Sequence, residues 1–94
     1  MLKEILSNSS ISELLQQEKE IDCTKEEFFS SLDEIINKAS TEGYKVEGPT
    51  LSYDRGLNKL TYDLKKNNKK VGEISLYYGN FYRKYEQYVK FLKL

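Results

Sequence analysis

The sequence predicts an α+β fold: a small two-layer domain with N-terminal helices, a three- to four-stranded antiparallel meander, and a C-terminal helix packed on the sheet. Three observations carry this. Phe28, Leu32, Ile35 and Ala39 recur at helical spacing across 25–41. From residue 44 the apolar period changes to two and holds to about residue 78. The breaks between the alternating runs are short and rich in Gly and Asn, so consecutive strands should pair as neighbours.

Residues 1–94 read as a single domain, with 1–9 the segment expected to fray. Leu2, Ile5 and Leu6 suit one helical turn before Ser7-Asn8-Ser9-Ser10 interrupts it. Ser10 and Glu13 have capping-box spacing, and Ile11, Leu14, Leu15 and Ile21 supply the stripe of a helix over about 11–20. Thr24 and Glu27 repeat the box, with Cys23 and Phe28 at the two staple positions. Gly43 is a natural stop for this second helix.

Tyr44 and Val46 open the alternating part, and Gly48-Pro49 breaks that strand or marks an edge. Leu51 and Tyr53 continue the alternation to a turn at 55–58. Leu60, Tyr62 and Leu64 run to a hairpin turn at Asn67-Asn68, since Asn tolerates positive φ. Ile74, Leu76 and Tyr78 return on the same parity. Gly72 shares it, which suggests a bulge or close packing under a helix. Asn80 is placed as an N-cap, and Phe81, Tyr85, Tyr88, Val89 and Leu92 as a helical stripe. A strand is the rival reading of 81–94, because Tyr, Phe and Val favour sheets.

Composition excludes much chemistry. There is no His, which removes Ser-His-Asp and Cys-His activation and every His-containing zinc site. The single Cys23 can form neither an internal disulfide nor a thiolate metal site. No glycine spacing matches a phosphate-cradling loop. A catalytic metal or cofactor is not expected, and neither is an enzyme. The start lacks a signal-peptide core, and no apolar run reaches the ~18 residues of a membrane helix. The expected location is cytoplasmic, without a membrane partner.

One pattern is informative. Residues 1–54 hold 5 Lys+Arg against 12 Asp+Glu, and residues 55–94 hold 10 against 3, so a neutral chain divides into halves of −7 and +7. The basic half offers a hairpin tip, Lys65, Lys66, Lys69 and Lys70, that could meet phosphate or an acidic protein. It also offers Arg83 and Lys90 on the final segment. Six of the 8 tyrosines lie in residues 55–94. Tyr77 is the best exposed candidate by parity, with Tyr82 at the edge of an apolar face. The acidic residues read as solvated helix surface.

These features favour a small non-enzymatic protein-binding module, an inhibitor or adaptor that occupies a surface of a larger partner. That format is shared by many inhibitors encoded by phages and mobile elements, and equally by adaptors and antitoxins. The alternative is nucleic-acid binding through residues 55–94, against which the zero net charge counts. A homo-oligomer is compatible with either.

Overall fold

The computed structural model describes residues 1–94. Helices α1 (Leu2–Asn8) and α2 (Ile11–Gln17) lead through the short strand β1 (Glu20–Asp22) into helix α3 (Lys25–Thr41). Strands β2 (Lys45–Asp54), β3 (Leu57–Lys66), β4 (Lys69–Phe81) and β5 (Lys84–Lys93) follow as a continuous meander. All pairings are antiparallel, and the sheet order is β1-β5-β4-β3-β2. The helices cover one face.

Both predicted helix starts are present, but only one closes on itself. Ser10 Oγ accepts from Glu13 N–H at 3.0 Å, and Glu13 reaches back to accept from Ser10 N–H at 3.0 Å. Thr24 Oγ1 accepts from Glu27 N–H at 3.0 Å, yet the Glu27 carboxylate turns away from its own helix. It accepts from the Met1 amine at 3.1 Å and from Leu2 N–H at 3.2 Å. Glu42, the C-cap of α3, does the same for α2: it accepts from Ile11 N–H at 2.7 Å, and from Ser12 N–H at 2.9 Å and Ser12 Oγ at 3.0 Å. The orphan donors of two short helices are thus satisfied by carboxylates at the two ends of α3.

This pinning sets the core. Leu2 and Leu6 of α1, and Ile11 and Leu14 of α2, are fully buried with Phe28 and Ile35 of α3. They pack on Tyr62, Leu64, Ile74, Leu76, Val89 and Phe91, the sheet residues of one parity. Gly72 shows both features expected of it. The β3–β4 register shifts beside it, between Leu64 and Lys65. A Cβ on Gly72 would lie 3.0 Å from Leu15 Cδ2 and 3.1 Å from the Leu92 carbonyl.

Three expectations are corrected. The C-terminal helix is the strand β5, paired with β4 from Gly72↔Lys93 to Phe81↔Lys84. Asn80 is a strand residue opposite Tyr85 and caps nothing. The turn that makes this possible carries no turn residues. Tyr82 and Arg83 sit at φ 50° and 66°, the same positive-φ pair that Arg55-Gly56 and Asn67-Asn68 adopt in the other two hairpins. The sheet also has five strands, beyond the three or four expected. Glu18 at φ 48° ends α2 early, which frees Ile21 to pair with Val89 in β1. No helix is long and apolar enough to cross a membrane.

Two outcomes are expected from this packing. Burial pushes the Glu42 carboxyl up, but the donated N–H groups of Ile11 and Ser12 outweigh it and hold it below its ordinary 4.5. The resulting stability is complete above about pH 4.5 and is lost as pH falls through the lowered folded value. Glu42→Gln should cost about 1 kcal/mol at neutral pH, as the loss of a helix N-cap does. It should also flatten the acid limb of a denaturation series. Gly72→Ala should cost about 1–3 kcal/mol by overpacking, because the Leu92 carbonyl is backbone and cannot step aside.

Candidate interaction surface

The hairpin-tip lysines do not form an open basic patch. Lys65 Nζ lies 2.8 Å from Glu47, which draws β2 and β3 together. Those contacts, Lys65 first and then Lys45, hold the Glu47 carboxyl below its usual range. Lys70 Nζ is 3.1 Å from Asp63 and also donates to Glu73, and these bonds raise its own pKa. Lys66 lies over the Tyr44 ring at 4.2 Å. Lys69 alone of the four makes neither an ion pair nor a ring contact. Lys90 sits half-buried on the helix-free face, in register with Glu20 of β1 and Ser75 of β4.

Tyr77 points to the helix-free face, as parity requires, yet it is only 6% exposed. Its ring stacks on Tyr88 at 4.8 Å, and Lys59 Nζ lies 5.5 Å from its centroid. Lys59 also approaches Glu73 at 3.9 Å, and Thr61 and Ser75 share a hydroxyl bond of 3.1 Å. Leu57 is buried on this face too, and with Phe81 and Tyr88 it lines one shallow depression. The open face is therefore covered by its own side chains. Alternation identifies which face a residue takes, but not what its cross-strand neighbours do to it.

Four exposed apolar groups lie elsewhere on the sheet, apart from Met1, Phe29 and Leu94. Tyr82 is 88% exposed, Tyr53 75%, Leu51 54% and Tyr85 49%. Leu51, Tyr53 and Tyr85 share the parity of the core, but Leu51 is level with the buried Leu76 and Val89 and is exposed because β2 is the edge strand, whereas Tyr53 and Tyr85 lie beyond the cover of the helices. Arithmetic explains the two tyrosines. At about 1.5 Å per residue, α3 spans roughly 25 Å. At about 3.4 Å per residue, the 13-residue β4 spans roughly 44 Å. The sheet outruns its helices, and the β2–β3 and β4–β5 turns lie at the overhanging end. The inner boundary of this ledge is the N-terminus of α3. There the Gln87 side-chain oxygen accepts from Lys25 N–H at 3.2 Å, and the Lys25 ammonium lies 4.8 Å from the Tyr78 centroid.

Tyr82 and Arg83 occupy the tip of this ledge, and Phe81 meets the Tyr82 ring edge-on at 4.5 Å. Leu51, Tyr53 and Tyr85 are not among the contacts the sequence pointed to. Comparing helix length with strand length is the signal that finds the two tyrosines, and the edge position of β2 exposes Leu51. Beside the tip runs an open groove lined by Glu20, Asp22, Arg55, Lys84, Glu86 and Tyr88. It carries both signs of charge. No group of three or more His, Cys, Asp or Glu side chains is placed to hold a metal.

Cys23 is buried, and its Sγ donates to the Thr24 carbonyl at 3.3 Å. Burial first, and then the Glu27 carboxylate, push the thiol up to about 12. Native protein at pH 8 should therefore resist alkylation by iodoacetamide, whereas urea-unfolded protein should react stoichiometrically.

No protein-family model matches the chain, and no curated protein or solved structure matches it either.

Proposed function

We propose that the chain is a non-enzymatic protein-binding module, an inhibitor or adaptor that occupies a surface of a larger partner through the β4–β5 tip. The supporting observation is the Tyr82–Arg83 turn. Both residues hold a left-handed backbone that Asn or Gly would adopt with little strain. Each costs on the order of 1 kcal/mol there. Tyr82 contributes almost nothing to the core in return, being 88% exposed. Tyr and Arg are, however, the side chains that dominate binding hot spots. A strained turn that displays both is better explained by a partner than by the fold.

The surroundings support a protein partner over nucleic acid. The groove beside the tip sets Glu20, Asp22 and Glu86 against Arg55 and Lys84, and such a mixture repels phosphate as much as it attracts it. Lys59, Lys65 and Lys70 already have acidic neighbours. Tyr77 is committed to Tyr88, so its ring is not free for base stacking.

The double variant Tyr82→Asn/Arg83→Gly separates fold from function. It should relieve the turn and raise Tm by about 8–16 °C, at about 1 kcal/mol for each of the two residues. It should also lose a protein that the natural sequence captures stoichiometrically from nuclease-treated lysate. Equal capture by both chains, or recovery of nuclease-sensitive material only, would contradict the proposal.

A further inference from the structure

The sheet has one long unprotected edge. β2 is its outer strand, and no backbone group of Thr50–Asp54 bonds outside the β2–β3 ladder. Asp54 and Leu57 flank a two-residue turn and form the first hydrogen-bonded pair. The ladder then alternates. Ser52 and Thr50 direct their N–H and C=O groups at Lys59 and Thr61, while Leu51 and Tyr53 direct theirs outward into solvent. The two residues with free backbone groups are also the two exposed apolar side chains of the strand.

We infer that this edge pairs with the same edge of a second copy of the chain, antiparallel about a two-fold axis at Ser52. The ladder phase limits the register, and proline and the turn select it. Only residues with outward backbone groups can exchange hydrogen bonds across the new seam. Centring on Leu51 would set Tyr53 against Pro49, which has no N–H, and centring on Tyr53 would set Leu51 against the turn residue Arg55, so Leu51 pairs with Tyr53 of the second copy, and Tyr53 with its Leu51. The same register sets leucine against tyrosine on the helix side, a favourable cross-strand combination. On the other side Thr50 meets Asp54, and Ser52 meets Ser52. No like charges face each other. Arg55 of one copy comes opposite Pro49 of the other, two residues from Glu47, so opposite charges flank the seam at both ends.

The pairing stops where β2 stops being regular. Gly48-Pro49 lies in the register shift between Glu47 and Thr50, and Pro49 has no N–H to donate. The opposite edge of the sheet does not continue the assembly. β1 is three residues long, and beside it the Lys19 carbonyl already accepts from Phe91 N–H at 2.9 Å. A single isologous contact closes as a dimer and does not propagate. Its five-residue seam is small beside the interfaces of stable complexes, so the dimer is expected to be weak and concentration-dependent.

Sedimentation of the full chain from about 10 µM to 1 mM tests the inference. The natural sequence should pass from monomer to dimer. Ser52→Asp places two carboxylates face to face on the axis and should weaken the dimer at least about tenfold. It leaves the monomer folded, because Lys59 lies opposite position 52 within the chain. A non-hydrogen-bonded antiparallel pair brings the Cα atoms to about 4.5 Å, inside disulfide range. Ser52→Cys should therefore cross-link on mild oxidation, and Thr50→Cys should not. A monomer throughout the range, a dimer indifferent to Ser52→Asp, or equal cross-linking by both cysteine variants would overturn it.

Discussion

Two carboxylates organise the helical half of this domain. Glu27 and Glu42 stand at opposite ends of α3, and each accepts the first N–H groups of another helix. α1 and α2 are seven residues each, too short to hold a helical conformation alone in water. Their orphan donors need acceptors of fixed position, and α3 supplies them because it is long enough to be anchored independently by Phe28, Ile35 and Ala39. Hydrophobic burial then follows geometry. Leu2, Leu6, Ile11 and Leu14 reach the sheet because the ends of their helices are tied. The acidic surplus of the first half, which looks like a solvated surface when counted, includes these structural acceptors.

The sheet meets a different constraint. Helices cover only one of its faces, and only part of that face. The uncovered face is stabilised laterally, by Tyr77 on Tyr88, Thr61 on Ser75, and lysines set between Asp63 and Glu73. Surface ion pairs of this kind contribute little stability individually. Strand pairing also mixes the two halves of the sequence locally, since β2 brings Glu47 to Lys65 and β1 brings Glu20 into register with Lys90.

Legibility varied with the kind of signal involved. α3 was readable because capping, staple and periodicity agree over 17 residues. The Asn67-Asn68 hairpin was readable because Asn is the residue a positive φ favours. Gly72 pointed to a bulge or close packing under a helix, and the structure has both, with Leu15 as the packing neighbour. β5 was misread because Tyr82-Arg83 does the work of Asn-Gly without the residues, so Phe81, Tyr85, Tyr88 and Val89 fell into one apparent helical stripe. β1 was missed because Glu18 takes a left-handed conformation that no Gly announced. Among the candidate contacts, Lys65 and Lys70 proved to have partners in the same chain and Tyr77 a covered ring, whereas Tyr82 and Arg83 project freely. Burial depends on cross-strand neighbours, which a single strand's alternation does not contain.

The pairing of β1 with β5 has a consequence for how the chain reaches this state. Glu20 meets Lys90, and Phe91 bonds back to Lys19, across some seventy residues of intervening chain. During synthesis the helices emerge first, yet the slots that Val89 and Phe91 fill stay empty until residues 84–93 are made. The earlier hairpins, with their local contacts, can form promptly; the helical layer has no finished floor to rest on until the final strand arrives. Completion is therefore a late and cooperative event, and a nascent chain lacking β5 exposes apolar surface on both its helices and its unfinished sheet.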